Sequence, residues 1–201
     1  MVLLNLGVRS YHKDLRILPP GYDSFAMIEA RFRPSVTVAG IVSDGGTPPR
    51  YLLVEEHTPE GLKLNNPAGH LDEGESPQQA VVREVLEETA RIFTPEAIVG
   101  VYLSRFVRPA TGEDVTYLRL AYRGIVGEPL AGRTLDDGIV GTLWLTLPEL
   151  RASVSRHRSP LVLQCIEDHL AGQRFALDLV LTDASVGDPK GTPEVKQPAK
   201  P

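Results

Sequence analysis

Hydrophobic and polar positions along this chain separate into short β-like runs, one strongly sided helix and polar connections. Residues 1 to about 33 hold no persistent period and contain the breaker Pro19-Pro20-Gly21. Ser35 to Ser43, SVTVAGIVS, is rich in β-branched residues and predicts a strand. Asp44-Gly45-Gly46 and Pro48-Pro49 turn the chain, and Tyr51 to Glu56 predicts the hairpin partner. His57 to Asn66 reads as a loop. Ser76-Pro77 then opens a helix, with Ser as a favoured N-cap and Pro tolerated at the first position. Ala97 to Val107 and Val115 to Val126 predict two more strands joined by a turn at Pro109 to Asp114. Thr142 to Thr146 predicts a short strand. Helices are expected from Pro148 and over Ser159 to Leu170, and a Gly-, Pro- and Lys-rich disordered tail from Ala184.

The helix after Ser76 changes the picture, because its sides are so unlike. Val81, Val82, Val85 and Leu86 share one side, continued by Ile92 and Phe93. Glu84, Glu87 and Glu88 fall within an arc of about 100° on the other, with Arg83 beside Glu87. Like charges so placed repel, and a hard divalent cation with oxygen ligands is their usual stabiliser. A solvated helix face is the alternative for such a run taken alone.

The flanks favour chemistry. Gly69, five residues, Glu75, seven residues, and then Arg83-Glu84-Val85-Leu86-Glu87-Glu88 resembles the Nudix signature GX5EX7REUXEE, where U is aliphatic. That signature ordinarily closes X-G-U, whereas here Ala90 and Arg91 stand at its last two positions. Ala in place of a C-cap glycine predicts that the helix runs on, with Ile92 and Phe93 supplying the apolar contact. The likeness extends over about residues 31 to 182, through RFRPSVTV, RSPLV and GQRFALDL. It is similar to the NudJ-type phosphatase branch, which acts on nucleoside di- and triphosphates and thiamine-type pyrophosphates.

The resemblance implies an α/β/α sandwich with a mixed sheet and a loop–helix catalytic motif. It implies that Glu84, Glu87 and Glu88 hold Mg²⁺ (or Mn²⁺), with the Gly69 carbonyl as a further ligand. Glu84 is alternatively the base on the attacking water. Arg83 is expected to orient the acids through Glu75 or Glu87, and Glu75 to brace the loop. Asp136 and Asp137 are candidates for a distal acid or a solvated turn. His70 is read as a local hydrogen-bonding group ahead of a substrate contact. Arg105, Arg108 and Arg119 are each expected at the surface, Arg156-His157-Arg158 at a solvated helix junction, and Cys165 in the core.

Composition narrows the partners. The 201 residues, 42% hydrophobic, suit one α/β or α+β domain with a real core. A net charge of −5 argues against a general affinity for nucleic acid or an anionic membrane. The single Cys165 forms no internal disulfide, which fits a cytoplasmic chain, and no apolar run approaches the ~20 residues of a membrane span. The expected organisation is an N-terminal arm or mis-assigned start over 1–30, a catalytic domain over 31–183 and a tail over 184–201. A chain starting at Met27 is expected to fold and act alike. The reading is a Mg²⁺-dependent hydrolase of pyrophosphate-containing small molecules, a monomer or homodimer. Its alternatives are ADP-ribose or dinucleoside polyphosphate cleavage, or a nucleotide-sensing module that does not cleave.

Overall fold

A computed structural model describes residues 32–108 and 112–187. The expectations for residues 1–30, for the turn tip at 109–111 and for most of the tail lie outside the described residues. All described residues but Phe32 belong to one unit that begins at Arg33.

The strand β1 (Ser35–Val42) is buried along both faces from Thr37 onward, so its run of apolar residues does not alternate. It needs neighbours on both edges. On one edge it pairs antiparallel with β4 (Ala68–His70), and on the other parallel with β6 (Asp114–Val126). β6 in turn pairs antiparallel with β5 (Phe93–Val107), giving a mixed sheet in the order β4-β1-β6-β5. With both edges of β1 taken, β2 (Arg50–Thr58) is not its hairpin partner. Backbone pairing between the two is limited to the Ser43–Tyr51 bridge just beyond β1, although their side chains share both cores. β2 instead centres a second sheet, antiparallel to β3 (Gly61–Asn65) and β7 (Ile139–Thr146). The segment read as a loop from His57 to Asn66 is thus the end of β2 and all of β3. Its polar composition misled because Gly61 and Leu62 are exposed while Leu64 is buried.

Two cores flank the sheets. Helix α1 (Pro77–Thr89) lays Ala80, Val81 and Val85 on Val38, Val42, Leu52, Leu120 and Tyr122. Complete burial of side chains such as Val81 and Val85 stabilises by about 1.5–3 kcal/mol each. Close approach is built in at Gly40, where a Cβ would stand 2.6 Å from Val85 Cγ2. On the opposite side α2 (Leu147–Ala152) and α3 (Leu161–Leu170) cover Ile41, Tyr51, Leu53, Val99 and Ala121 with Leu150, Val162, Cys165 and Ile166. Cys165 is fully buried. The result is the expected α/β/α sandwich with a mixed sheet. Beyond α3, Phe175 exchanges backbone hydrogen bonds with Ile98 on the outer edge of β5. Ala184–Gly187, the first residues of the expected tail, form a 3-10 turn.

Element ends differ from the expectation where a residue disfavoured in strands breaks the run: β5 begins at Phe93, ahead of Pro95, and β7 at Ile139, ahead of Gly141, while α3 begins at Leu161. The end of α1 is a correction of another kind. The helix does not run on; Ala90 takes the left-handed conformation (φ 56°) that glycine usually fills, and its N–H bonds Leu86 O. Phe93 buries, but Ile92 stays exposed. No helix among the described residues is long and apolar enough to cross a membrane.

Candidate active site

Ser76 sets the start of α1 through a capping box. Its hydroxyl accepts from Gln79 N at 3.1 Å, and Gln79 Oε1 accepts from Ser76 N at 2.8 Å. The helix phase that buries Val81 and Val85 also turns Glu84 and Glu88 inward, each only 8% exposed. The acid stripe is therefore not a solvated face.

Arg83 gathers the acids. Its Nη2 and Nε donate to the two oxygens of Glu75 at 2.6 and 3.0 Å. Nη1 donates to Glu84 Oε1 at 2.7 Å and to Glu87 Oε2 at 3.0 Å, and Nη2 also reaches His70 O at 3.0 Å. These contacts raise the Arg83 pKa, Glu75 foremost, so the guanidinium stays charged. Glu75 also accepts from Asp72 N at 2.8 Å, which ties the loop to the helix, and its pKa is lowered chiefly by Arg83.

Gly69 lies directly against the acids. A Cβ built on it would overlap the carboxylate of Glu84. One residue earlier, Ala68 N donates to Glu88 Oε2 at 2.8 Å. Burial pushes the Glu88 carboxyl up to about 8, against the pull of the Ala68 N–H, with Glu84, Glu56 and Asp136 adding to the rise. Glu84 is raised too, first by burial and then, against Arg83, by Glu87 and Asp136.

The donor set fits a hard divalent ion. Its oxygens are carboxylates and carbonyls, and its buried acids are raised above their ordinary pKa by burial, a cost that a bound cation would offset. Among the described residues no three acidic, imidazole or thiol groups converge on one point as placed. Arg83 draws Glu84 and Glu87 to itself, and Glu88 turns to Ala68.

The loop carrying Asp136 is latched to the end of α1 by backbone. Asp136 N donates to Glu87 O at 3.1 Å, Leu130 N to Ala90 O at 2.8 Å, and Gly127 N to Ile92 O at 3.2 Å. Asp136 is exposed yet near enough to raise Glu84 and Glu88, whereas Asp137, also exposed, acts on neither.

A cleft of about 470 Å³ opens beside Ala68 and Gly69, between the two sheets. One wall is a face of the four-stranded sheet, on which His70, Thr37, Arg119 and Tyr102 stand in one row across β4, β1, β6 and β5. The other comprises Glu56, Lys63 and Asn65 with the segment His157 to Leu161. Several expectations change here. Arg119 is buried, not at the surface, because β6 is an inner strand of the sheet. Arg108 lines the cleft, paired with Glu113 at 2.7 Å and donating to Tyr117 Oη at 3.1 Å. Arg105 is exposed and pairs with Asp114. The junction at Arg156 to Arg158 is only partly solvated: Arg156 pairs with Glu55, Arg158 with Glu56 at 3.0 Å, and His157 is buried. His70 is exposed, with its ring 6.4 Å from that of Tyr117.

Glu56 is the residue that the sequence reading passed over. Oε1 is buried without a partner, and burial raises its pKa against Arg158. The signal was the doubled acid Glu55-Glu56 closing an otherwise apolar strand.

A carboxylate helix at the mouth of a cleft, on an α/β/α sandwich, marks the class as a hydrolase. The chain belongs to the NUDIX domain family, whose profile matches residues 31–165, and is a Nudix hydrolase. It is 30% identical over 149 residues to Phosphatase NudJ of Escherichia coli K12, covering 74% of this chain and 92% of that one. A solved NUDIX hydrolase from Nitrosomonas europaea is 46% identical, covers 75% of this chain and 98% of its own, and superposes with TM-score 0.67. The NUDIX domain of Shewanella oneidensis NrtR, solved with ADP ribose, shares the fold at 18% identity, TM-score 0.56, with 75% and 93% covered.

Proposed function

We propose that this chain is a Mg²⁺-dependent hydrolase of phosphoanhydride bonds in nucleoside di- and triphosphates or thiamine-pathway pyrophosphates, releasing phosphate. The observation that carries it is the pair of buried acids Glu84 and Glu88, with half-buried Glu87 beside them, against a glycine that leaves room for Glu84. The similarity to a phosphatase over 92% of its length supports the branch. An intact set of acids disfavours a module that binds without cleaving.

Glu84, Glu87 and Glu88, with Gly69 O, would hold Mg²⁺ (or Mn²⁺). The ion supplies charge neutralisation on phosphate oxygens and a more acidic water. Arg83 and Glu75 hold the carboxylates in register with the loop. Glu84, raised by burial, is alternatively the base that takes the proton of the attacking water. Asp136, held beside α1, adds negative charge at the same place and is the better candidate for the distal acid. The cleft beside Gly69 receives the organic part of the substrate.

The test is a screen of purified protein with Mg²⁺ against nucleoside di- and triphosphates, thiamine pyrophosphate and ADP-ribose. Phosphate and pyrophosphate are detected separately. Phosphate release from a di- or triphosphate is expected. Turnover confined to ADP-ribose, or none at all, would overturn the proposal.

A further inference from the structure

The cleft floor carries a buried cation that the protein itself leaves unsatisfied. Arg119 on β6 is 9% exposed, and neither its Nε nor its Nη1 has a hydrogen-bond partner. The other described cations along the cleft are engaged: Lys63 Nζ with Ser155 O at 3.1 Å, Arg108 with Glu113, Arg158 with Glu56. Glu56 and Glu88 lie near enough to favour the charge on Arg119 but form no ion pair with it, and burial dominates, pulling its pKa down. A buried unpaired guanidinium is costly, since desolvation is not repaid by contacts.

Its placement says what would repay it. Arg119 sits in the sheet row with Thr37 and His70, next to β1 and two strand spacings from β4, whose Ala68 and Gly69 touch Glu88 and Glu84. Thr37 Oγ1, beside it on β1, is likewise buried without a partner. A planar guanidinium with fixed N–H donors matches the oxygens of a phosphate in a way that one ammonium does not.

We infer that Arg119 is a substrate-binding residue, whose guanidinium donates to the non-bridging oxygens of one phosphate of a diphosphate group while the other lies toward the acids of α1 that would hold the metal ion. The inference rests on the proposed reading that the substrate carries a diphosphate, and it adds the residue that holds that group in the cleft.

The experiment titrates inorganic pyrophosphate calorimetrically into EDTA-treated protein, for wild type, Arg119→Met and Arg119→Lys, with thermal midpoints of each. Pyrophosphate is expected to bind the wild type, at least thirtyfold more weakly Arg119→Met, and about tenfold more weakly Arg119→Lys. Without anion, the midpoint of Arg119→Met should equal or exceed that of the wild type, because an uncompensated buried charge has gone. A structural arginine gives the reverse pattern. No binding to wild type, or equal binding to wild type and Arg119→Met, overturns the inference. Should Arg119→Met fail to fold, equal binding by Arg119→Lys also overturns it. Failure of the functional reading looks different: the wild type would bind pyrophosphate through Arg119 yet cleave no di- or triphosphate. Conversely, turnover with an unchanged KM in Arg119→Met would sink the inference and leave the function standing.

Discussion

The carboxylate of Glu84 occupies the space that the Cβ of any other residue at position 69 would need. The contact ties a strand residue to a helix residue in the loop–helix motif, and it makes glycine a spatial requirement there. Gly69 has no positive φ, so its backbone would accept alanine. Gly69→Ala should therefore fold, lose little stability, and lower kcat by about 10², the scale of misplacing one electrostatic group. Near-wild-type kcat in a folded Gly69→Ala would show that Glu84 has other room.

Metal dependence follows from burial of the acids. Glu87→Gln and Glu88→Gln should each lower kcat by about 10² or more. Activity should vanish in EDTA and return with Mg²⁺. Mg²⁺ should also raise the thermal midpoint of the wild type, since a ligand that binds only the folded state stabilises it. That rise should shrink in Glu88→Gln. Full turnover in chelator contradicts the metal mechanism.

Arg83 hydrogen-bonds three carboxylates and one carbonyl, so its loss and its conservative replacement should separate. Arg83→Ala leaves Glu75, Glu84 and Glu87 mutually repelling, and kcat should fall by about 10² or more together with the midpoint. Arg83→Lys keeps the charge but not the fork, and should recover the midpoint more than kcat. Equal recovery of both would mean that charge alone matters.

A pH effect is expected away from the acids. Burial, aided by Arg123 and Arg174, holds the His169 imidazole below its ordinary pKa, and its Nδ1 lies 2.8 Å from Tyr51 Oη. Burial lowers His157 likewise. The unfolded chain thus takes up these protons first as pH falls below about 6.5. Stability should drop on acidification from that point until the folded-state pKa is passed, by at most about 1.4 kcal/mol per pH unit for each group. Urea midpoints between pH 7.5 and 5.5 should show a shallower slope in His169→Gln. An identical slope would exclude His169 as a source.

Cys165 has no exposed surface, and burial pushes its thiol up to about 11. Cys165→Ser should lower the thermal midpoint and leave kcat intact. Lost turnover in folded protein would contradict its place in the core.

The sequence made the catalytic helix legible because capping, apolar side and acid side reported independently on the same residues, Ser76 to Glu88. The β5–β6 hairpin was legible for a similar reason, two long β-branched runs around a turn. Which sheet β2 joins was not, because Tyr51 to Glu56 is the same unbroken apolar run ending in two acids whichever neighbour it meets. Ala90 misled because residue preference favours a continuing helix, whereas the carbonyls of Glu87 and Ala90 are already claimed by the loop between β6 and β7. Arg119 and Glu56 were hidden for a third reason. A charged residue in a strand reads as exposed, and only the pairing of β6 inside one sheet and the facing of two sheets place both in a cleft.

The three backbone hydrogen bonds between residues 127–136 and the end of α1 have a consequence for change in this protein. They use no side chain of the loop, so the loop tolerates substitution at most of its positions. Its length is another matter. Adding or removing one residue between Gly127 and Asp136 would break the match of Gly127, Leu130 and Asp136 to Ile92, Ala90 and Glu87. Diversity here is expected to be written in residue types and not in insertions. A one-residue deletion should disturb the acids of α1 as surely as a mutation among them.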